Sequence, residues 1–259
     1  MSKRPITISI TNNKGGTGKT TTALNLGAAL QKKGFRVLLI DLDAQGNLTL
    51  ATGCRQPRHH AGELLMDEAS WEETLITGPT VHLIPASRML LSYEHRLNAE
   101  PDSGYLLREQ LENRPYDYVI IDCPPSLGAL TFGALSATDW FIVPMQGENF
   151  AYIGLDEILQ CAAKVRRRIN PGIKLAGILM NKFDLRTKFG QSVYQKLSAN
   201  PSVRVFNSSI RQDISLMECT AFGQSIFDYA PNSRGARDLM NFCDEFLQYT
   251  NQHETSQVI

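Results

Sequence analysis

Along the chain, short runs of β-branched and apolar residues alternate with stretches of helical period. Ile6–Ile10, Val37–Ile40, Val81–Ile84, Tyr118–Ile121, Phe141–Val143, Leu175–Met180 and Val203–Phe206 read as strands. Most of these runs are almost wholly hydrophobic, the pattern of parallel strands covered on both faces. Helices are predicted over Thr20–Lys33, Leu106–Asn113, Ala129–Ala137, Gly154–Ile169, Phe189–Ala199 and Gly235–Tyr249. In the first, Ala23, Leu24, Leu26 and Leu30 recur on one side and Gly34 marks the stop. The alternation implies an α/β fold with a mainly parallel, twisted sheet flanked by helices. The segment His59–Asn98 has no clean period. No repeat, low-complexity tract or Pro/Gly-rich linker divides the chain. Residues 1–250 are therefore expected to form a single domain, followed by a polar tail, 251–259, expected to be disordered.

Composition narrows the class. At 259 residues, 42% hydrophobic and 20% charged, the chain can bury a substantial core without disulfides or metals. Its five cysteines, at 54, 123, 161, 219 and 243, are scattered and contain no CxxC pair. That argues against a disulfide framework or a zinc knuckle and fits a reducing compartment. The opening MSKRPITISI has no apolar run of signal-peptide length, and no segment reaches the roughly 18 apolar residues of a membrane span. The expectation is a cytoplasmic protein.

The formal net charge is zero, yet the charge is unevenly placed. From Cys161 to Arg211 the chain carries eleven Lys and Arg, among them Arg166, Arg167, Arg168 and Lys188, against the single acid Asp184. That +10 third leaves −10 elsewhere, so it is either a directional basic surface or a set of cations paired with distant carboxylates.

The chemistry begins after the first strand. Asn12-Asn13-Lys14-Gly15-Gly16-Thr17-Gly18-Lys19-Thr20-Thr21-Thr22 opens the first helix in a strand–loop–helix context. Glycines let backbone N–H groups turn onto phosphate oxygens, Lys19 supplies charge at the β- and γ-phosphates, and the Thr20 hydroxyl suits Mg²⁺. The helix N-terminus adds its dipole. The loop differs from GxxxxGK[ST] in having Asn13 where glycine is expected, and a second lysine, Lys14, before Gly15-Gly16. Two further strands end in carboxylates: Val37-Leu-Leu-Ile-Asp41-Leu-Asp43-Ala44-Gln45-Gly46-Asn47, and Tyr116-Asp-Tyr-Val-Ile-Ile-Asp122-Cys-Pro124-Pro125. A buried strand delivering one Asp beside a phosphate loop has Walker B geometry. Cys123 reads as a small buried residue, not a nucleophile.

Together these motifs resemble the ParA/MinD family of dimerising ATPases, and most closely ParA. Lys14-Gly-Gly-Thr-Gly-Lys-Thr-Thr is similar to that family's deviant Walker A motif, and the resemblance runs from Ile6 to about Phe246. It implies a P-loop NTPase fold, ATP and Mg²⁺ as cofactors, and hydrolysis that is slow without an activator. By the same resemblance, Gly15 to Thr21 cradle the nucleotide and Lys14 crosses to the phosphates of a partner subunit. Asp43 serves hydrolysis near the metal and the attacking water, although Ala44 stands where the family commonly has Pro. Thr20, Asp43 and Asp122 form the metal side. Asn181, in Met180-Asn-Lys-Phe-Asp184, matches the adenine contact, with Pro231 and Asn232 in a turn packing on the base. Glu148 matches a segment of the dimer face.

The resemblance also implies a homodimer in the ATP state, nonspecific DNA as a partner, nucleoid association, and a ParB-like adaptor that stimulates hydrolysis. Arg211 matches a DNA-contacting position, with Arg166, Arg167, Arg168 and Lys188 as further candidates. No helix-turn-helix extension precedes the P-loop, so operator binding is not expected. Other relatives dock on a membrane through a C-terminal helix, but Asn241–Ile259 has Asp244, Glu245 and Glu254 with no Lys or Arg. Anionic lipid would repel it, so no membrane partner is expected. The alternatives are a MinD-like or cargo-positioning ATPase, a nucleotide-stabilised binding module, and an iron–sulfur protein of the nitrogenase type. The last needs two cysteines per subunit in matching motifs, which are lacking.

Overall fold

The computed structural model describes residues 4–78, 81–146, 151–201 and 203–255. Eight strands, β1 (Ile6–Ile10), β2 (Val37–Asp41), β3 (Ile76–Thr77), β4 (His82–Ile84), β5 (Tyr118–Asp122), β6 (Trp140–Gln146), β7 (Lys174–Asn181) and β8 (Val205–Ile210), form one sheet. Its order is β3-β4-β2-β5-β1-β6-β7-β8. Every neighbouring pair is parallel except β3 with β4. From β1 the chain passes first to β2 on one side, whereas β6 lies on the other. The end of β1 is therefore a point where strand order reverses, the place where ligands bind in such sheets.

The central strands are hydrophobic throughout because both faces are covered. In β5, Tyr118 and Ile120 enter one apolar cluster while Val119 and Ile121 enter another. In β2, Val37 and Leu39 face the first cluster, and Leu38 and Ile40 the second. Helices supply the cover: α1 (Lys19–Lys32), α2 (Asn47–Ala51), α3 (Ala61–Leu65), α4 (Trp71–Thr74), α5 (Leu90–Leu97), α6 (Ser103–Gln110), α7 (Ala129–Ala137), α8 (Ala151–Arg168), α9 (Lys188–Ser198), α10 (Ser215–Ala221), α11 (Ile226–Tyr229) and α12 (Arg234–Thr255). The apolar side of α12, with Leu239, Phe242, Cys243 and Phe246, joins the first cluster with residues of α1 and β8.

The seven sequence-predicted strands and six helices are all present; the structure adds the short helices α2, α10 and α11, and three further features differ. The edge strand β3 has only two residues, too few for any periodicity to register. The aperiodic His59–Asn98 segment contains α3, α4 and α5, two of which are closed by capping boxes, His60 with Glu63 and Ser70 with Glu73. The second is an S-x-x-E signal legible in the sequence. The last helix continues to Thr255, beyond the Gly235–Tyr249 span expected of it. Thr250, fully buried with its hydroxyl donating to Phe246 O, carries the helix past Tyr249.

Candidate functional site

The loop between β1 and α1 is held in place by side chains from three strands' ends. Asn12 donates to Pro144 O at 2.7 Å and accepts from the Lys14 amide at 3.0 Å. Gln146 donates to Gly16 O. Asn181 donates from Nδ2 to Thr17 O at 2.9 Å and to Thr22 Oγ1 at 3.3 Å. Gly18 has φ +91°, a left-handed conformation, and a Cβ there would lie 2.4 Å from Asn181 Nδ2. Glycine is thus required at 18 on two counts, backbone handedness and space. Above Gly15 and Gly16 there is open space, so the loop faces a cleft.

Lys19 is buried beneath this loop, its Nζ donating to Lys14 O at 3.0 Å. Burial lowers its pKa, and the nearby Asp122 and Asp43 pull in the opposite direction. Register sets Asp41 of β2 opposite Asp122 of β5, with Ile10 of β1 on the other side of Asp122. Thr20 Oγ1 donates to Asp122 Oδ2 at 2.7 Å, whereas Asp122 Oδ1 is buried with no hydrogen-bond partner among the described residues. Burial, reinforced by Asp41, pushes the Asp122 carboxyl well above its ordinary pKa. A hydroxyl and an unpaired carboxylate oxygen beside a buried lysine are the donor set of a hard divalent cation next to a phosphate. Asp43, also buried, accepts on Oδ1 from the Gln45 amide at 3.0 Å.

These elements open onto a cleft of about 840 Å³ lined by Gly15, Gly16, Gly18, Lys19, Thr20, Thr21 and Asp43 among others. Its far wall is α10 and the turn after it, and Leu50, Met217 and Phe222 stand exposed at its mouth. At one end of that wall Gly223 packs directly on Gly53: a Cβ at 223 would lie 2.8 Å from Gly53 Cα. Behind this contact lies a second cavity of about 530 Å³, which shares Ala51, Gly53 and Gly223 with the cleft.

Residues 6–175, well over half of the chain, match a family profile described as an AAA domain. Over 242 residues the chain is 38% identical to the chromosome-partitioning ATPase Soj of Thermus thermophilus, covering 93% of this chain and 94% of that protein. It is 36% identical over 256 residues to the chromosome partitioning protein ParA of Caulobacter vibrioides, covering 95% and 96%. The chain belongs to the ParA/Soj family of ATPases. A solved structure described as cobyrinic acid a,c-diamide synthase from Mycobacterium smegmatis with bound ATP analog and magnesium has the same fold. It superposes with a TM-score of 0.85 at 32% identity over 95% of each chain.

Within this ParA/Soj ATPase the other sequence-predicted residues fall into several groups. Thr17 and Asn181 lie behind the phosphate loop instead of lining the cleft, and Asn181 Oδ1 is buried without a partner among the described residues. Lys14 is half-buried at the loop's edge. Pro231 and Asn232 are exposed in the turn before α12 and do not line the cleft. Glu148 lies outside the described residues.

The basic candidates do not form one free set. Arg211 is bound to Asp238 through both Nε, at 2.9 Å, and Nη2, at 2.6 Å. Arg166 donates twice to Ile173 O, at 3.1 and 2.5 Å, tying the end of α8 to the start of β7. Arg167, Arg168 and Lys188 are exposed. Of the described candidates, then, two have structural partners that the charge count did not reveal.

Sequence reasoning missed Arg55 and Lys182, both of which line the cleft. Lys182 has φ +51°, uncommon for a residue with a side chain, and follows Asn181 directly. Its position after a strand was the available signal. Arg55 sits in an aperiodic stretch that carried none.

Proposed function

We propose that this ATPase is a nucleotide-driven dimer switch that binds DNA nonspecifically and, with an adaptor protein, segregates or positions DNA. The observation that carries the nucleotide half is the pairing of open space over Gly15 and Gly16 with the unpartnered Asp122 Oδ1 beside Thr20 and Lys19. ATP fits that cradle: the loop amides and the α1 N-terminus receive phosphate oxygens, and Lys19 meets their charge. Thr20 and Asp122 would hold Mg²⁺, which neutralises developing charge at the transferring phosphoryl group. Asp43, on the cleft wall, orients the attacking water. Asn181, behind the loop, serves the nucleotide indirectly, by holding Thr17 O and Thr22 Oγ1 through its amide.

Lys14, at the loop's edge, reaches the phosphates held by a second subunit, so that added positive charge and dimerisation arrive together. The closed dimer presents the exposed Arg167, Arg168 and Lys188 twice, and pairing multiplies weak phosphate contacts. No helix among the described residues is long and apolar enough to cross a membrane. The apolar side of α12 is already packed on the protein, which favours DNA over a lipid surface as the partner. Adaptor-stimulated hydrolysis then opens the dimer and releases DNA over the nucleoid.

The test is binding to random-sequence duplex DNA with ATP, ADP or no nucleotide across a salt series. Binding confined to ATP and weakened steeply by salt is expected. Equal binding in all three states would refute the switch, and no binding in any state would refute DNA as the partner. Lys14→Ala is expected to retain ATP binding and lose ATP-dependent dimerisation.

A further inference from the structure

Two buried carboxylates stand opposite one another at the ends of β2 and β5, and they are used in different ways. Asp122 keeps one oxygen without a partner among the described residues. Asp41 has both oxygens engaged: Oδ1 accepts from the Asp43 amide at 3.1 Å, and Oδ2 accepts from the Thr49 amide at 2.8 Å and the Thr49 hydroxyl at 2.7 Å. Thr49 Oγ1 in turn accepts from the Ala86 amide at 2.9 Å, beyond β4. The chain thus leaves β2 at Asp41, forms the loop that carries Asp43, and returns at Thr49 to the same carboxylate.

A simple helix cap does not account for this arrangement. Helix α2 begins after Gly46, which has no side chain to offer. Asp41 accepts from the third residue of α2 as a cap would, but from a neighbouring strand and together with the Asp43 amide. Within the loop, the Gly46 amide donates to Asp43 O at 2.8 Å and the Gln45 amide donates to Asp43 Oδ1. The loop is therefore a small body with the direction of the Asp43 side chain set internally, tied to the sheet by the Leu42 amide, which donates to Asp122 O at 3.0 Å, and by the Asp41–Thr49 clamp. Asp41 has no idle acceptor directed at the cleft, and it is not among the residues that line it.

We infer that Asp41 is a positioning residue for hydrolysis: through the Asp43 amide and Thr49 it holds the Asp43 carboxylate at its working place above the phosphate loop. This rests on the reading that Asp43 orients the attacking water. Displacement of such a group by about an ångström lowers a rate by on the order of a hundredfold while leaving the binding surface in place.

The experiment compares Thr49→Val, which keeps the shape but removes the hydroxyl, with Thr49→Ser, which keeps it. Asp41→Asn and Asp43→Ala are measured alongside, with kcat for ATP, affinity for a fluorescent ATP analogue and the melting temperature as readouts. Thr49→Val and Asp41→Asn should lower kcat by roughly tenfold to a hundredfold with little change in affinity, and Thr49→Ser should stay near the parent. Asp41→Asn combined with Thr49→Val should be no slower than Asp41→Asn alone, because the two side chains act as one clamp. If Asp41→Asn does not fold, the Thr49 pair carries the test. A folded Thr49→Val with the parent's kcat overturns the inference, as does a Thr49→Ser that is as slow as Thr49→Val. If Asp43→Ala itself hydrolyses ATP normally, the underlying reading of Asp43 falls, and the clamp's catalytic role falls with it.

Discussion

Thr20 Oγ1 donates to one oxygen of the buried Asp122 carboxylate at 2.7 Å, and the other oxygen accepts from no group among the described residues. The half-satisfied carboxylate destabilises the nucleotide-free fold, since burying charge without full pairing is costly. Asp122→Asn should therefore raise the melting temperature of the nucleotide-free protein and lower Mg²⁺-dependent hydrolysis by on the order of a hundredfold or more. Calorimetry and a phosphate-release assay check the two halves separately. A variant that loses stability and keeps activity contradicts both.

The basic residues should separate into two classes under substitution. Arg167→Ala and Arg168→Ala should weaken DNA binding modestly, each reducing the slope of log affinity against log salt by about 1. Arg166→Ala should instead destabilise the fold by about 1–3 kcal/mol, because it leaves Ile173 O without its charged donor. For Arg211, Asp238→Asn removes the competing carboxylate and should strengthen DNA binding. Unchanged binding in Asp238→Asn would exclude a DNA contact by Arg211.

Thiol chemistry should be confined to one position. Burial pushes Cys219 up to about 11 and Cys243 up to about 12, and raises the fully buried Cys123 further still. Cys54 is only half-buried. At pH 8 a maleimide should label Cys54 first, with the other four protected until the fold opens. Peptide mapping by mass spectrometry after short exposure reads this directly.

The contribution of Asp41 to the stability of the nucleotide-free protein should fade as pH rises from about 4 to 6. Burial pushes Asp41 up to about 6 from an ordinary 3.8, against the opposing donors from Thr49 and Asp43. The folded chain then holds a proton that the unfolded chain has released, so Asp41's contribution is full below the unfolded value and fades through the folded one. Asp41→Asn should flatten the slope of urea-unfolding free energy against pH in that window. It should not abolish the slope, because Asp122 is raised as well.

What was legible in the chain divides by how far apart the cooperating residues are. The strands from Ile6 to Ile121 and the phosphate loop announce themselves because their signal is local: a continuous apolar run, or glycines and lysine in one stretch. The roles of Asp41 and Asn181 depend on partners brought up by the fold. Thr49 lies eight residues beyond Asp41, and Thr17 lies more than a hundred and sixty residues before Asn181. The charge count leaves Arg211 and Arg166 open between a free surface and paired cations, because only the fold brings up their partners, Asp238 and Ile173 O. Helix α5 was missed for a different reason. Only Leu90 and Leu97 in it are buried and Leu91 is exposed, so its apolar spacing marks no single face.

The contact of Gly223 with Gly53 makes positions far apart in sequence behave as one in any attempt to vary this protein. A methyl group at 223 collides with backbone, not with a side chain that can swing aside. It can be accommodated only by parting the end of α10 from the end of α2. A library varied at the exposed Leu50, Met217 and Phe222 around the cleft mouth can sample size and polarity freely. One varied at 223 samples instead the separation of the two walls, and with it the width of the cleft and of the cavity behind.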